Sequence, residues 1–210
     1  FVLPPNLDRK RTQQIYLRVY GNALSSPGIG KVQIDHVDNM VAIQQDAQWH
    51  QRTIFTINAI LSASLGLFCA CIWLMRRQES ALGWYVVASM SWLAFLYNIL
   101  ATETGPFPNA GMFFQSHIMA FVLYTWGFCI FSWRFVQYAN KRLEQVLNLI
   151  TIVMIAFIWL MPLQYQALNL SAIFLTCVLI LNANGVCISI LGWRSRELES
   201  KLLAITLMTC

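Results

Sequence analysis

Between Thr53 and Leu191 the chain carries five long apolar runs, and the basic residues of the connecting turns all fall in alternate turns. The runs are Thr53–Met75, Ala81–Ala101, Met112–Trp133, Val146–Leu163 and Ala167–Leu191. A sixth begins at Leu202 and is cut off at Cys210. Arg76 and Arg77 follow the first run, Arg134, Lys141 and Arg142 the third, and Arg194, Arg196 and Lys201 the fifth. The turns after the second and fourth runs hold no Lys or Arg. A helix needs about 20 apolar residues to cross a hydrocarbon core of roughly 30 Å, and these runs have about that length. Basic side chains stay preferentially on the cytoplasmic side, so the alternation predicts an orientation as well as a class. The expected product is an all-α polytopic membrane bundle whose first segment lies outside the cytoplasm.

Composition agrees: 58% of the 210 residues are hydrophobic and 11% are charged, against roughly 25% charged in soluble proteins. The net charge of +5 is accounted for by the basic turns, with anionic headgroups as nearby counter-charges. Nucleic acid is therefore not an expected partner; the lipid bilayer is. Cys69, Cys71, Cys129, Cys177, Cys187 and Cys210 all lie in or beside apolar runs, where cysteine acts as a small hydrophobe. Neither a disulfide framework nor a metal site is expected of them.

Residues 1–52 differ in character. Gln14–Tyr20 alternates Ile15, Leu17 and Val19 with Tyr16, Arg18 and Tyr20, the pattern of a half-buried strand. Asn22–Gly30 reads as a turn, and Lys31–Ile34 and Asn39–Ile43 as two further short strands. So few strands bury too little surface to stand alone. They are expected to close a larger extracytoplasmic β domain, with 53–210 as the helical bundle. Asp46–Arg52 has interfacial composition: Trp49 suits the headgroup level and Arg52 can snorkel outward. Phe1 is not an initiator Met and the last run is incomplete, so the chain is expected to be a piece of a longer protein.

No Asp, Glu, Lys or Arg lies deep within a run. Proton pumps and ion-driven transporters ordinarily carry such a group. His117, near the external end of the third run, is the one ionisable side chain of interest. Asn58 and Ser62 stand four apart on one helix face; Asn98, Asn182 and Asn184 follow in the second and fifth runs. Polar groups in hydrocarbon need partners, so these residues are expected to face the bundle interior, as helix-to-helix hydrogen bonds or as ligand contacts. Trp92 and Trp126, nearer mid-span, are expected to pack against neighbouring helices. The chain carries no phosphate loop, HExxH, GxSxG or paired CxxC; no catalytic residue, cofactor site or metal site is predicted.

The order of features resembles one family. Tyr16-Leu17-Arg18-Val19 in a short extracytoplasmic β segment, more strand-like sequence, then a Gln/His/Arg linker running straight into a bundle with short turns, is similar to the bacterial seven-transmembrane receptors with diverse intracellular signalling modules. The second run, Trp84-Tyr85-Val86-Val87-Ala88-Ser89-Met90, falls where those receptors have an aromatic, Tyr-containing stretch. The resemblance implies an external jelly-roll-like sensor, seven helices and a cytoplasmic output module such as a histidine kinase or diguanylate cyclase. This chain lacks the complete sensor, the seventh helix and any output module, and no residue role carries over. The implied function is reception of an extracytoplasmic ligand at a bacterial inner membrane and transmission to that output module. A second copy of the chain is a further candidate partner. The rival reading is a transporter or channel subunit, with Asn58, Ser62, His117, Asn182 and Asn184 lining a polar path.

Overall fold

The computed structural model describes residues 37–101, 110–138, 140–160 and 166–194, and divides the chain into two compact units, Phe1–Ile54 and Phe55–Cys210. In the first unit, α1 spans Val37–Gln48 and a π-helical turn follows at Trp49–Thr53. Asn39–Ile43, expected as a strand, is therefore helical. Val37, Met40 and Val41 recur at helical spacing, and the Gln and Ala residues that follow favour helix over strand. The strands expected at Gln14–Tyr20 and Lys31–Ile34 lie outside the described residues. So do the truncated run from Leu202 and the basic residues Arg196 and Lys201.

Among its described residues the second unit holds α2 (Ile54–Met75) from Phe55 onward, α3 (Ser80–Leu100), α4 (Ala110–Phe135), α5 (Lys141–Leu160) and α6 (Gln166–Arg194). Each is long and apolar enough to cross a membrane, so the chain is a multi-pass helical bundle in its described part, with no strand there. Because successive spanning helices run in alternate directions, Arg76, Arg77, Arg134, Lys141, Arg142 and Arg194 belong to one end, called here the basic end.

Local chemistry sets the turns. α5 begins earlier than its apolar run because Asn140 caps it: the Asn140 Oδ1 accepts from the backbone N–H of Arg142 at 3.1 Å and of Leu143 at 3.5 Å. That is the N-cap pattern that satisfies otherwise orphaned amides. Glu144 in the first turn complements the helix dipole. α4 ends in a Schellman arrangement, with the Tyr138 N–H donating to the Trp133 carbonyl at 2.8 Å and the Gln137 N–H to Arg134 at 3.2 Å. Gln137 takes the left-handed position at φ 57°, where glycine is the usual residue.

Packing is centred on α4. Its main partners are α3, α6 and α5. Adjacency in sequence does not decide the arrangement, because α5 and α6 both pack more closely on α4 than on one another. The core joins Phe95 of α3, Ile118, Phe121 and Val122 of α4, Ile158 of α5, and Leu170, Ile173 and Cys177 of α6. Small residues permit the closest approaches. A Cβ on Gly127 would stand 3.2 Å from the Ala88 backbone nitrogen, and one on Gly66 would run into the Ser89 hydroxyl. The Ser89 hydroxyl donates to the Ser62 carbonyl at 3.0 Å. The α2–α3 crossing thus uses Ser62 and Gly66, a small residue every fourth position, a pairing the sequence reading passed over.

Candidate functional site

Away from the basic end, a polar and aromatic seam runs from α2 through α3 into α4 and α6. The Trp92 indole N–H donates to the Asn58 Oδ1 at 2.9 Å, and the Ser62 hydroxyl approaches the same oxygen at 3.4 Å. Asn58 and Ser62 share a face because they are one turn apart, and Asn58 anchors α2 to α3 while staying exposed. Trp92 lies 4.9 Å from Tyr124 and 5.3 Å from Phe95, centroid to centroid. Phe95 stacks on His117 at 4.3 Å and 18°, and Phe121 continues the chain of rings to Phe174 of α6 at 4.5 Å. Trp92 is thus packed against neighbouring helices as expected.

The His117 imidazole lies within reach of the Phe95 backbone. Its Nδ1 and the Asn98 Oδ1 are buried without a hydrogen-bonding partner. A neutral imidazole with one nitrogen donating leaves the other as an acceptor, and an amide oxygen is an acceptor too. Two unmet acceptors in the same half of the bundle suit a ligand or water that donates. Beside the seam, a cleft of about 520 Å³ lies between α3, α4 and α5, bordered by Met90, Met112, Gln115, Met119 and Trp159. Methionine walls adapt to irregular apolar shapes. Gln115 is fixed at the rim, its Nε2 donating to the Ile158 carbonyl at 3.1 Å.

A separate network lies towards the basic end. The Asn184 Nδ2 donates to the Ser132 hydroxyl at 2.9 Å, and that hydroxyl donates back to its own helix at the Phe128 and Cys129 carbonyls. Asn184 and Ser132 are both buried, and the Asn184 Oδ1 has no partner. Trp126 packs edge-on to Trp84 at 4.9 Å and donates its Nε1 to the Asn148 Oδ1 at 2.6 Å. Asn148 was not anticipated, since it lies at the start of an apolar run whose hydropathy masks a lone amide.

Asn182 corrects the sequence reading. It was expected to face the interior with Asn184, but its Nδ2 donates to the Val178 carbonyl one turn back at 2.8 Å, on an exposed face. Two residues along a helix amount to about 200°, so the pair cannot share a face. Asn58, Ser62 and His117 thus belong to one seam, Asn98 lies in the same half, Asn184 belongs to the other network, and Asn182 to neither.

The basic turns form structure as well as charge. Arg134 bridges three helices, donating to the Ser80 hydroxyl at 3.3 Å and pairing with the Glu144 carboxylate at 3.3 Å. Arg77 stands 5.7 Å over the Trp73 ring, within cation–π range. No cluster of His, Cys, Asp or Glu among the described residues could hold a metal. Cys129 and Cys177 are buried core thiols, while Cys71 and Cys187 are exposed. No protein family, curated protein or solved structure matches this chain.

Proposed function

We propose that the chain is the membrane part of a signal receptor, set in a bacterial inner membrane with its first segment in the periplasm. In this reading an extracytoplasmic ligand biases the placement of α2 against the α3–α4 core, and the shift reaches an output module at the basic end. One observation carries it: α2 is held to α3 by a small number of specific contacts, whereas α3 and α4 pack along their lengths. The α2 contacts are Asn58 with Trp92, Ser62 with Ser89, the close approach at Gly66, and Trp73 against Gly83 near the basic end. An element joined by few contacts has alternative placements within reach of a ligand's binding energy, and a bistable element is what transmission requires. The adaptable cleft beside Gln115 and the unmet acceptors of Asn98 and His117 supply places where bundle and ligand can meet.

The transporter reading requires Asn58, Ser62, His117, Asn182 and Asn184 to line one path. Asn182 turned onto its own backbone, and Asn184 spent on Ser132 in the other half, count against it. The test is a pair of spin-label distances in liposomes, one from α2 to α4 and one from α3 to α4. Two populations for the first, shifting with the external medium, and a single population for the second are expected. A single α2–α4 distance accompanied by solute flux in the same liposomes would replace the receptor with the transporter.

A further inference from the structure

At the basic end two hollows of opposite character meet at one side chain. The first, about 390 Å³, is polar and is lined by Ser80, Arg134, Gln137, Tyr138, Lys141 and Glu144. The second, about 460 Å³, is an apolar slot between α4, α5 and α6, bordered by Trp133, Leu143, Ile180, Ala183 and Leu191. Tyr138 lines both.

We infer that this end of the bundle holds one anionic phospholipid, its phosphate in the Arg134–Lys141 hollow and an acyl chain in the slot behind Tyr138. The charge balance of the polar hollow favours an anion, since Arg134 and Lys141 face the single carboxylate of Glu144. Lys141 is exposed and forms no ion pair among the described residues. The Arg134 guanidinium has five N–H donors in a fixed fork, so its bonds to Ser80 and Glu144 leave others for a phosphate. The Tyr138 hydroxyl accepts from the Asn140 Nδ2 at 3.5 Å, which leaves its own proton to donate. The Schellman turn with left-handed Gln137 fixes Tyr138 where the hollows join.

Charge complementarity selects the occupant. A purely apolar partner would fill the slot and leave the cationic rim unused, and a free phosphate would leave the slot empty. A phospholipid satisfies both, and basic pockets between spanning helices are established headgroup sites. Nothing in this inference depends on the receptor reading.

The test is native mass spectrometry of the detergent-solubilised chain with equal amounts of phosphatidylglycerol and phosphatidylethanolamine of matched chain length. One phosphatidylglycerol should be retained in preference. Lys141→Gln, on an exposed side chain, should lower that preference by about fivefold, the size expected of one basic group at a headgroup. Ala183→Trp, which fills the slot from another exposed position, should abolish retention of the bound lipid. The double substitution Arg76→Gln with Arg77→Gln should leave retention unchanged. Equal retention of the two lipids would overturn the inference. So would a loss in the Arg76/Arg77 variant as large as that in Lys141→Gln, which would mean general surface charge. Unaltered retention in Ala183→Trp would do the same, by showing the slot to be covered by something else, such as this chain's own Leu202–Cys210.

Discussion

α2 and α4 are both long apolar helices, yet 6% of the apolar stretch of α2 is buried against 56% of that of α4. The more buried helix is the less hydropathic of the two. In water the opposite would hold. In a bilayer, lipid tails are as apolar as leucine, so burial against another helix gains nothing from transfer and is driven by packing and interhelical hydrogen bonds. α4 supplies both, with Gly127, Ala120, Thr125 and Ser132 between its aromatic side chains. α2 presents Ile60, Leu61, Leu65, Leu67 and Phe68 outward and meets its neighbour through Asn58, Ser62, Gly66 and Trp73. The difference separates a rigid centre from a loosely held entry helix.

Substitutions matched between the two helices sharpen this contrast. Phe121→Ala on α4 removes a ring in contact with Phe95, Tyr124 and Phe174, and should destabilise the bundle by about 3 kcal/mol. Phe68→Ala on α2, 62% exposed, should cost less than about 0.5 kcal/mol. Reversible unfolding in bicelles measures both, and similar costs would break the contrast. Gly66→Leu should weaken the α2–α3 crossing by about 2 kcal/mol through overpacking against Ser89. The expected readout is a longer spin-label distance from α2 to α3, with α3 to α4 unaltered.

The polar network near the basic end gives a smaller and signed effect. Ser132→Ala strands the Asn184 amide N–H and should cost about 1 kcal/mol, whereas Asn184→Leu also removes an unpartnered oxygen and should cost less. If Asn184→Leu is the more damaging, the unmet oxygen has a partner in the membrane. Smallest of all, Gln137→Gly should raise stability by about 0.5 kcal/mol, because the left-handed backbone there disfavours a side chain. A thermal midpoint in micelles is sufficient to read it.

The sequence showed the spans well because transfer of a polar backbone into lipid leaves helices as the natural solution, and runs as long as Ile54–Met75 have one reading. Trp92 and Trp126 were legible for a similar reason, since a mid-span indole needs a partner for its N–H. Partnership between helices was less legible. α5 and α6 share α4, and only side-chain shape decides that. Asn182 and Asn184 look equivalent in sequence and are separated by the turn of the helix. Asn39–Ile43 shows the limit for short apolar stretches, where Met40, Val41 and Ile43 fit either period until neighbouring residues tip the balance to helix.

α2 lies at the edge of a bundle centred on α4. An oxygen-accessibility scan of single spin labels along α2 and α4, in liposomes, measures this directly. High accessibility around most of α2, dipping near Asn58, Ser62, Gly66 and Trp73, with low accessibility along most of α4, is the predicted result. A protected stripe on α2 as broad as that on α4, or accessibility to a water-soluble relaxant along the middle of either helix, would contradict it.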